Sequence, residues 1–303
     1  MTTPPLAGRV AVVAGGTRGA GRGIAVELGR AGATVIVTGR TTRSTESDMA
    51  RPETIEATAE LVDAVGGVGV AIRVDHERPD EVKALADRIA SEHARLDILV
   101  NDIWGGDRLT QWGTPFWQLD LAALDRLWQQ AVRTHIITSQ HLTPLMLKER
   151  SGLIVEITDG TGEHYRGSLG YDVVKTAVIR LAYAMASELR PHGIAALAVS
   201  PGFLRSEAML EIFGVTAETW RDGATRDPHF AASETPHFVG RAVAALAADP
   251  DVLTKSGGAY SSWDLGDEYG FTDIDGRRPH WGRHVAGSQE DPAESQPPQG
   301  VTS

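Results

Sequence analysis

Residues Val10–Gly21 read VAVVAGGTRGAG, an apolar run followed by a glycine-rich turn. The apolar run predicts a buried β-strand, and the turn carries Gly15, Gly19 and Gly21 in a G-x-x-x-G-x-G spacing. Glycine permits a tight turn and lets the backbone approach a pyrophosphate at the N-terminus of the next helix. Because the cluster follows a strand and opens a helix, it predicts a nucleotide-binding β-α-β unit rather than an ordinary turn.

Further apolar runs alternate with stretches of helical periodicity along the rest of the chain. Strands that are apolar throughout and separated by helices are typical of a parallel sheet covered on both faces. We therefore predict an α/β fold, a single doubly wound parallel sheet of Rossmann type, over residues 1–278. The predicted strands are Val10–Val13, Val35–Val37, Val70–Val74, Ile98–Val100, Leu153–Ile157 and Ile194–Val199, and the predicted helices are Gly21–Arg30, Pro52–Val65, Pro79–His93, Leu121–Lys148 and Tyr171–Leu189.

The composition excludes several classes of protein. The 303 residues contain no cysteine, which removes thiolate metal sites, supports no zinc site and fits a reducing cytoplasm. A net charge of -11 argues against nucleic-acid binding, which needs basic surface. No apolar run approaches the roughly 20 residues of a membrane span, and no signal peptide is visible. From about Pro279 the sequence is rich in Gly, Ser, Gln, Glu and Pro, so residues 279–303 are predicted to be a disordered tail.

The end of the second predicted strand indicates which nucleotide is bound. A site for NAD usually places an acidic residue there to hold the ribose 2′-hydroxyl, but this chain has Gly39 and Arg40. Arg18 lies in the glycine-rich turn, and two guanidinium groups near the 2′ position suit a phosphate. We predict NADP(H) over NAD(H); ordinary solvent-exposed arginines are the alternative.

Four further positions carry groups suited to a nucleotide cofactor and to proton transfer. Tyr171 and Lys175 are four residues apart, which stacks their side chains on one helix face, where an ammonium favours the phenolate. Tyr171 is therefore a candidate proton donor to a carbonyl oxygen, or base in the reverse reaction. Asp75 follows the third predicted strand and Asn101 ends the fourth; they suit the adenine amino group and the cofactor ribose, or they cap turns.

Taken together these residues resemble the short-chain dehydrogenase/reductase family over about residues 6–276. The C-terminal part resembles one branch of that family. The residues that carry the resemblance are the glycine turn, Asp75, Leu99-Val100-Asn101, Tyr171-x-x-x-Lys175 and Ser200-Pro201-Gly202, and for the branch Ala245–Pro250, Ser256-Gly257, Asp264-Leu265, Tyr269-Gly270 and Asp273–Arg277.

The resemblance implies reversible hydride transfer between a nicotinamide and a small carbonyl or alcohol. Tyr171 would be the catalytic acid/base, and Lys175 would hold the nicotinamide ribose and lower the tyrosine pKa. Residues 203–235 would form a mobile lid over the substrate, and helices Leu121–Lys148 and Tyr171–Leu189 would pair subunits in a homodimer or homotetramer. The implied cofactor-binding set is Gly15, Thr17, Arg18, Gly19, Ala20, Gly21, Arg40, Asp75, Asn101, Tyr171, Lys175, Pro201, Gly202, Phe203, Leu204 and Ser206.

The sequence departs from the family pattern at three places. The family usually has a serine about thirteen residues before the tyrosine; counting gives Thr158, whereas alignment on the strand gives Asp159. We predict Thr158 as the residue that holds the substrate oxygen, because a carboxylate would oppose phenolate formation. Ala131 replaces the family's helix asparagine, and Trp104 stands where a small residue is usual.

One further residue needs an explanation, because Glu156 lies inside an apolar strand. A carboxylate buried there requires a partner or a shifted pKa; a place at the edge of the active site is one alternative, and a salt bridge at the strand end is the prediction. The functional prediction is an NADP(H)-dependent oxidoreductase that acts on a carbonyl or alcohol. The rival interpretation is an NADP(H)-binding sensor or scaffold protein with little or no turnover, which the departures favour and the retained tyrosine and lysine oppose.

Overall fold

The computed structural model describes residues 3–47, 49–162 and 164–288. Its centre is a seven-stranded parallel sheet in the order β3-β2-β1-β4-β5-β6-β7. The predicted single doubly wound α/β fold is therefore confirmed. The strands are β1 (Val10–Ala14), β2 (Thr34–Gly39), β3 (Val68–Arg73), β4 (Ile98–Asn101), β5 (Gly152–Ile157), β6 (Ile194–Ser200) and β7 (Ala259–Ser261).

Helices cover both faces of the sheet, which explains why the central strands are apolar throughout. Alternate residues of β1 point to opposite sides: Val13 packs into one buried cluster with Ile24, and Val12 packs into another with Ile89. Burying each such side chain stabilises the fold by about 1.5–3 kcal/mol. The helices are α1 (Gly19–Arg30), α2 (Ile55–Ala64), α3 (Pro79–Glu92), α4 (Leu121–Trp128), α5 (Thr134–Glu149), α6 (Leu169–Leu189), α7 (Glu207–Phe213), α8 (Pro236–Ala248), α9 (Ser262–Tyr269) and α10 (Trp281–Ser288).

The order of the strands fixes where a ligand can bind. The chain runs outward from β1 to β2 and β3, then returns to place β4 on the other side of β1. The loops after β1 and β4 therefore leave the sheet in opposite directions and open a crevice at the carboxyl ends of these strands. The glycine-rich turn Gly15–Gly19 forms one wall of that crevice.

Two predictions of secondary structure are corrected. The helix predicted over residues 121–148 is divided into α4 and α5 by a π-helical turn at Gln129–Arg133. The predicted tail begins too early, because residues 281–288 form α10, where Trp281 packs edge-on against Phe203 at 5.7 Å between ring centroids. A tryptophan with a fixed partner anchors this helix, and the rest of the predicted tail, residues 289–303, lies outside the described residues.

Among the residues that the structure describes, no helix combines the length and the apolar character needed to cross a membrane.

Candidate active site

The crevice between β1 and β4 is shaped by close approach of backbone to backbone. A Cβ atom on Gly15 would lie 2.2 Å from the carbonyl oxygen of Asp102, and one on Gly21 would lie 2.5 Å from the carbonyl oxygen of Gly15. Gly15 also has a φ of +89°, which side chains other than glycine rarely adopt. These two glycines therefore let the turn after β1 pack directly against the turn after β4.

The N-terminus of α1 holds an anionic oxygen in this structure. The backbone amide of Gly19 donates a hydrogen bond to Oε2 of Glu207 at 2.8 Å, and Arg22 lies 3.5 Å from the other carboxylate oxygen. The carboxylate of Glu207 occupies the position where an N-terminal helix amide would hold a phosphate oxygen. Glu207 begins α7 in the predicted lid, and Ser206 caps that helix through the amide of Met209 at 3.3 Å. The backbone of the glycine turn thus fits a pyrophosphate group.

The remaining members of the turn are held inside the protein. Thr17 is buried, and its carbonyl oxygen accepts a hydrogen bond from Nε of Arg22 at 3.1 Å. Ala20 is buried in the first turn of α1. Their backbone, rather than their side chains, therefore shapes the wall of the crevice.

The two arginines predicted to bind a 2′-phosphate have different partners. Arg18 donates a hydrogen bond to Oγ of Ser47 at 2.9 Å, and Arg40 forms an ion pair with Glu77 at 3.6 Å. Burial lowers the pKa of Arg18, although Glu53 counteracts it. Arg40, and not an acidic residue, directly follows Gly39. The predicted preference for NADP(H) over NAD(H) stays a prediction.

The side chains of Asp75 and Asn101 have local roles. One oxygen of Asp75 accepts a hydrogen bond from the Glu77 amide at 3.1 Å, which is a turn cap, and an adenine contact stays a prediction. Asn101 is fully buried, and its Nδ2 donates to Oε1 of Glu156 at 2.7 Å and to Ser139 at 2.9 Å. The Asn101 side chain thus points into the protein interior, because a buried amide needs partners, and its position close to a cofactor ribose stays a prediction.

Tyr171 and Lys175 lie one turn apart at the start of α6, as the spacing predicted. The Lys175 ammonium is 4.2 Å from the centroid of the Trp104 ring and 5.5 Å from that of Tyr171. Burial is the largest influence and lowers the pKa of Lys175, while Asp159 and Asp102 raise it. Enclosure by the protein also raises the pKa of Asp102 to about 7, against the opposing effect of Lys175. Lys175 and Asp102 thus connect the tyrosine electrostatically to the glycine turn.

The hydroxyl group of Tyr171 contacts Asp159 and not Thr158. Its Oη donates a hydrogen bond to Oδ2 of Asp159 at 2.8 Å, whereas the Thr158 hydroxyl donates to the backbone carbonyl of Lys175 at 2.9 Å. Thr158 is only 2% exposed and turns away from the crevice. Our choice of Thr158 is therefore corrected: Asp159 takes the position beside the tyrosine, because successive side chains after the end of β5 point to opposite sides and the Thr158 hydroxyl is bonded to the backbone of α6.

The carboxylate changes the acidity of the phenol. Burial first, and then the charge and hydrogen bond of Asp159, raise the pKa of Tyr171 well above its ordinary value. The predicted lowering by Lys175 is therefore overturned, since desolvation and a neighbouring anion both disfavour the phenolate. This tyrosine holds its proton more tightly than the family resemblance implied.

Two tryptophans form the walls beside Tyr171. Trp104 meets the phenol edge-on at 5.5 Å between centroids, and Trp112 lies at 5.1 Å with a tilt of 48°. Nε1 of Trp104 donates to Asp107 at 2.6 Å, which fixes the indole over Lys175. Trp104 thus remains in the crevice and borders it, instead of being displaced outward.

A buried ion pair lies behind the crevice, and sequence reasoning predicted only one of its members. Nδ1 of His135 is 2.5 Å from Oε2 of Glu156, and both side chains are almost fully buried. Nε2 of His135 donates to the Ile103 carbonyl at 3.1 Å, because a carbonyl oxygen can only accept. The predicted partner for Glu156 is confirmed. His135 lies four residues after Ala131, a spacing that places two residues on one face of a helix. That spacing could have identified His135 from the sequence as a polar residue near the position of the family asparagine.

The π-helical turn Gln129–Arg133 lies where the family asparagine was expected. Ala131 is buried against Leu127 and Val174, and therefore offers no polar side chain to the crevice. π-Turns inside helices are frequent at functional sites, because the extra residue releases a backbone carbonyl from the regular pattern. Here the carbonyl of Gln130 is instead bonded by the hydroxyl of Thr134 at 2.6 Å.

The predicted lid is built on an aromatic cluster. Phe203 packs edge-on against Phe213 and Phe230, so its ring lies within the lid, and its predicted contact with a nicotinamide stays a prediction. The amide of Gly202 donates to Glu234 at 2.9 Å, and burial raises the pKa of Glu234 to about 8. Leu204 pairs with Glu234 as an isolated β-bridge, and Pro201 is half-buried at the end of β6.

No group of three or more histidine or carboxylate side chains is arranged to hold a metal ion in residues 3–47, 49–162 and 164–288.

Comparison with known proteins places this crevice in a family. The sequence model described as short chain dehydrogenase matches residues 9–213. Mouse "Dehydrogenase/reductase SDR family member 1" is 36% identical over 278 residues, covering 90% of this chain and 85% of the mouse protein. The human protein of the same name is 34% identical with the same coverage.

A solved structure supports the same relationship. It comes from Beutenbergia cavernae, is assigned as an NAD(P)-dependent gluconate 5-dehydrogenase and contains NADP at low occupancy. It is 27% identical, has a TM-score of 0.67, and covers 87% of this chain and 98% of its own. The predicted family and branch are therefore confirmed, and the chain belongs to the short-chain dehydrogenase/reductase family.

Proposed function

We propose that this protein is an NADP(H)-dependent oxidoreductase that transfers hydride to or from a small carbonyl or alcohol substrate. The observation that carries the proposal is the position of Tyr171 and Lys175 at the glycine turn. Lys175 interacts with Asp102, whose turn packs directly on Gly15. A phenol and an ammonium are thereby held at the crevice where a nucleotide binds in this fold.

The residues have separate tasks in this proposal. A bound nicotinamide cofactor supplies or accepts the hydride. Tyr171 gives its proton to the substrate oxygen during reduction and takes it back during oxidation. Lys175 keeps a positive charge near the phenol, which partly offsets the effect of Asp159 on its acidity.

Two observations support NADP(H) as the cofactor. Arg18 lies in the glycine turn, Arg40 follows β2, and the chain has no acidic residue immediately after β2. The relative from Beutenbergia cavernae contains NADP. A guanidinium pairs well with a 2′-phosphate, whereas a carboxylate would repel it.

We further propose that two copies associate through α4, α5 and α6. Trp128 and Ile136 are 42% and 45% exposed on these helices, and they border a surface depression with Leu181. Exposed apolar side chains that lie together mark association surfaces. A cytoplasmic location and a homodimer or homotetramer remain predictions.

A second function deserves a test because of one contact. The Tyr171 hydroxyl donates to Asp159 at 2.8 Å, so the proton is directed at a carboxylate and not at the open crevice. This contact favours an NADP(H)-binding sensor or scaffold protein with little turnover. Binding and turnover must therefore be measured separately.

The test combines fluorescence titration with NADPH and NADH and an assay of NADPH oxidation against aldehydes, ketones and diketones. We expect tight NADPH binding and a turnover that Tyr171→Phe abolishes. Tight binding without turnover over the whole panel would leave the sensor function standing and reject the reductase.

Cofactor preference has its own matched variants. Arg40→Asp should weaken NADPH binding much more than NADH binding, because the introduced carboxylate repels a 2′-phosphate. Arg43→Asp is the control: it is an exposed arginine of the same segment, and it pairs with Glu60 at 2.6 Å. Equal turnover with both cofactors, unchanged by Arg40→Asp, would refute the preference.

A further inference from the structure

We propose that Asp159 selects substrates that carry an ammonium group on the carbon next to the reacting carbon, as in a 1,2-amino ketone or 1,2-amino alcohol. The inference rests on the proposed function and adds the substrate class to it. Its starting point is the 2.8 Å hydrogen bond from Tyr171 to the Asp159 carboxylate, which is half-buried at the end of β5.

A neutral carbonyl compound does not satisfy this site. Its oxygen accepts hydrogen bonds and donates none, so beside Asp159 it would meet a negative charge instead of a second donor. It would also take the Tyr171 hydrogen bond away from Asp159. A half-buried carboxylate that loses a donor is destabilised, because solvent reaches it only in part and does not fully replace the lost hydrogen bond.

Two cations lie nearby, Lys175 and Arg166, and in the described part of the chain neither donates a hydrogen bond to the Asp159 carboxylate. Arg166 bonds the backbone carbonyl of Asp159 at 2.5 Å, not its carboxylate, and its NH1 group bonds Asp172 at 2.7 Å. Among the described residues, Tyr171 is the side chain whose hydrogen bond reaches the Asp159 carboxylate. When Tyr171 turns to a substrate oxygen, a new donor must therefore come from the substrate.

An ammonium group supplies that donor. In a 1,2-amino ketone the nitrogen and oxygen stand on neighbouring carbons, so the two atoms can meet Asp159 and Tyr171, whose own oxygens are 2.8 Å apart. The ammonium then gives a charge-assisted hydrogen bond to the carboxylate while Tyr171 gives its proton to the oxygen. Asp159 is thus a specificity-determining residue of the site.

The aromatic walls suit the same cation. Trp104 and Trp112 both lie within 5.5 Å of the Tyr171 ring centroid, and Trp104 already has the Lys175 ammonium 4.2 Å from its own centroid. Indole rings attract cations more strongly than other aromatic side chains do. Trp112 offers a second indole to a substrate ammonium that enters beside Tyr171.

The reaction balances without any further reagent. In reduction, hydride from NADPH forms the new C–H bond, the C=O π pair moves to oxygen, and oxygen takes the Tyr171 proton. The products are the 1,2-amino alcohol, NADP⁺ and a deprotonated tyrosine that solvent reprotonates. The ammonium keeps its protons throughout and acts only in binding.

The test uses two alcohols of nearly the same shape, 1-amino-2-propanol and 2-butanol, which differ by an ammonium in place of a methyl group. We expect kcat/KM with NADP⁺ to favour the amino alcohol by roughly 10- to 100-fold, the range for one hydrogen bond to a charged group. Asp159→Asn should remove most of this preference, and Asp159→Ser should do the same while it raises activity on 2-butanone with NADPH.

Asp107→Asn is the matched control, since it removes one negative charge near Tyr171 without touching its hydroxyl. We expect this variant to keep the preference. Equal kcat/KM for the two alcohols, or a preference that survives Asp159→Asn, would overturn the inference. The proposed function would survive either outcome if the protein still reduces neutral ketones and Tyr171→Phe abolishes that reduction.

A binding measurement tests the substrate class in case the protein shows no turnover. Tryptophan fluorescence of the protein with NADP⁺ is followed during titration with each alcohol, because Trp104 and Trp112 border the site. Tighter binding of the amino alcohol that Asp159→Asn removes supports the substrate class even when the proposed turnover fails. Equal binding, or none, refutes the inference.

Discussion

Replacing Glu207 by glutamine should tighten cofactor binding. The carboxylate of Glu207 accepts the Gly19 amide at 2.8 Å, so it occupies the anion position at the N-terminus of α1. A cofactor pyrophosphate must displace it from that position. Glutamine keeps the size of the side chain, but it binds the amide through a neutral oxygen and no longer repels a phosphate.

The expected size follows from the contact itself. A hydrogen bond to a charged acceptor contributes about 1.5–3 kcal/mol and a neutral one about 0.5–1.5 kcal/mol. The difference, about 1–1.5 kcal/mol, corresponds to a dissociation constant lower by roughly fivefold to tenfold. The ion pair with Arg22 at 3.5 Å adds little, because both side chains are partly exposed.

The assay is a fluorescence titration with NADPH and with NADH, since both carry the pyrophosphate. Glu211→Gln is the control: it lies one turn later on α7, and its carboxylate pairs with Arg51 at 2.6 Å instead of with the glycine turn. An unchanged or higher dissociation constant in Glu207→Gln would refute the reasoning. An equal gain in both variants would assign the effect to overall charge.

Three further changes test other parts of the structure. His135→Leu should lower the free energy of unfolding in urea by about 3–5 kcal/mol, because it leaves the Glu156 carboxylate buried without the His135 ring. Adding Glu156→Gln should recover much of that loss. Losses that simply add in the double variant would contradict this reasoning. Burial raises the pKa of Glu234 from its ordinary value of 4.5 to about 8. Between these two pH values the folded protein binds one proton more than the unfolded chain. The free energy of unfolding therefore falls with rising pH, by up to about 1.4 kcal/mol per pH unit. Glu234→Gln should flatten that slope in urea titrations at several pH values, and an unchanged slope would exclude Glu234 as its source. Ile136→Glu should reduce the mass measured by light scattering to that of a monomer. Leu61→Glu is the control and should leave the mass unchanged, because Leu61 is 43% exposed on α2, away from the proposed interface. A parent protein that is already monomeric would reject the interface.

The sequence was sufficient for the fold because its signals are local. The run Val10–Val13 and the glycines after it determine a strand, a turn and a helix within twelve residues of chain. The other buried strands were recognisable from continuous apolar runs, which only a sheet covered on both faces requires. The short edge strand β7 was missed, because its three residues, Ala259–Ser261, carry no periodicity.

The site was predictable in part, and its errors share one cause. Tyr171 and Lys175 were found because their spacing is helical. Thr158 was chosen by counting along the chain and because a carboxylate would oppose phenolate formation, but the backbone at the end of β5 decides which residue faces the crevice. Neighbouring residues there point to opposite sides, so an error of one position exchanges a buried residue for a half-buried one. The buried partners of Asn101 were not predicted, because they come from β5 and α5, which are distant in sequence.

The departures from the family pattern are connected through the structure. Ala131 leaves no polar side chain at the π-turn, and His135, one turn later, pairs with Glu156 on β5. Three residues beyond that glutamate, Asp159 accepts the hydrogen bond of the Tyr171 hydroxyl. Burial first, and then this carboxylate, raise the pKa of the phenol. A substrate ammonium that pairs with Asp159 offsets the contribution of its charge, so the pKa of Tyr171 is lower than with a neutral substrate, while burial still raises it. The pH dependence of kcat should then shift to lower pH for amino alcohols than for neutral alcohols, and coincident profiles for the two classes would show that the substrate leaves the acidity of Tyr171 unchanged.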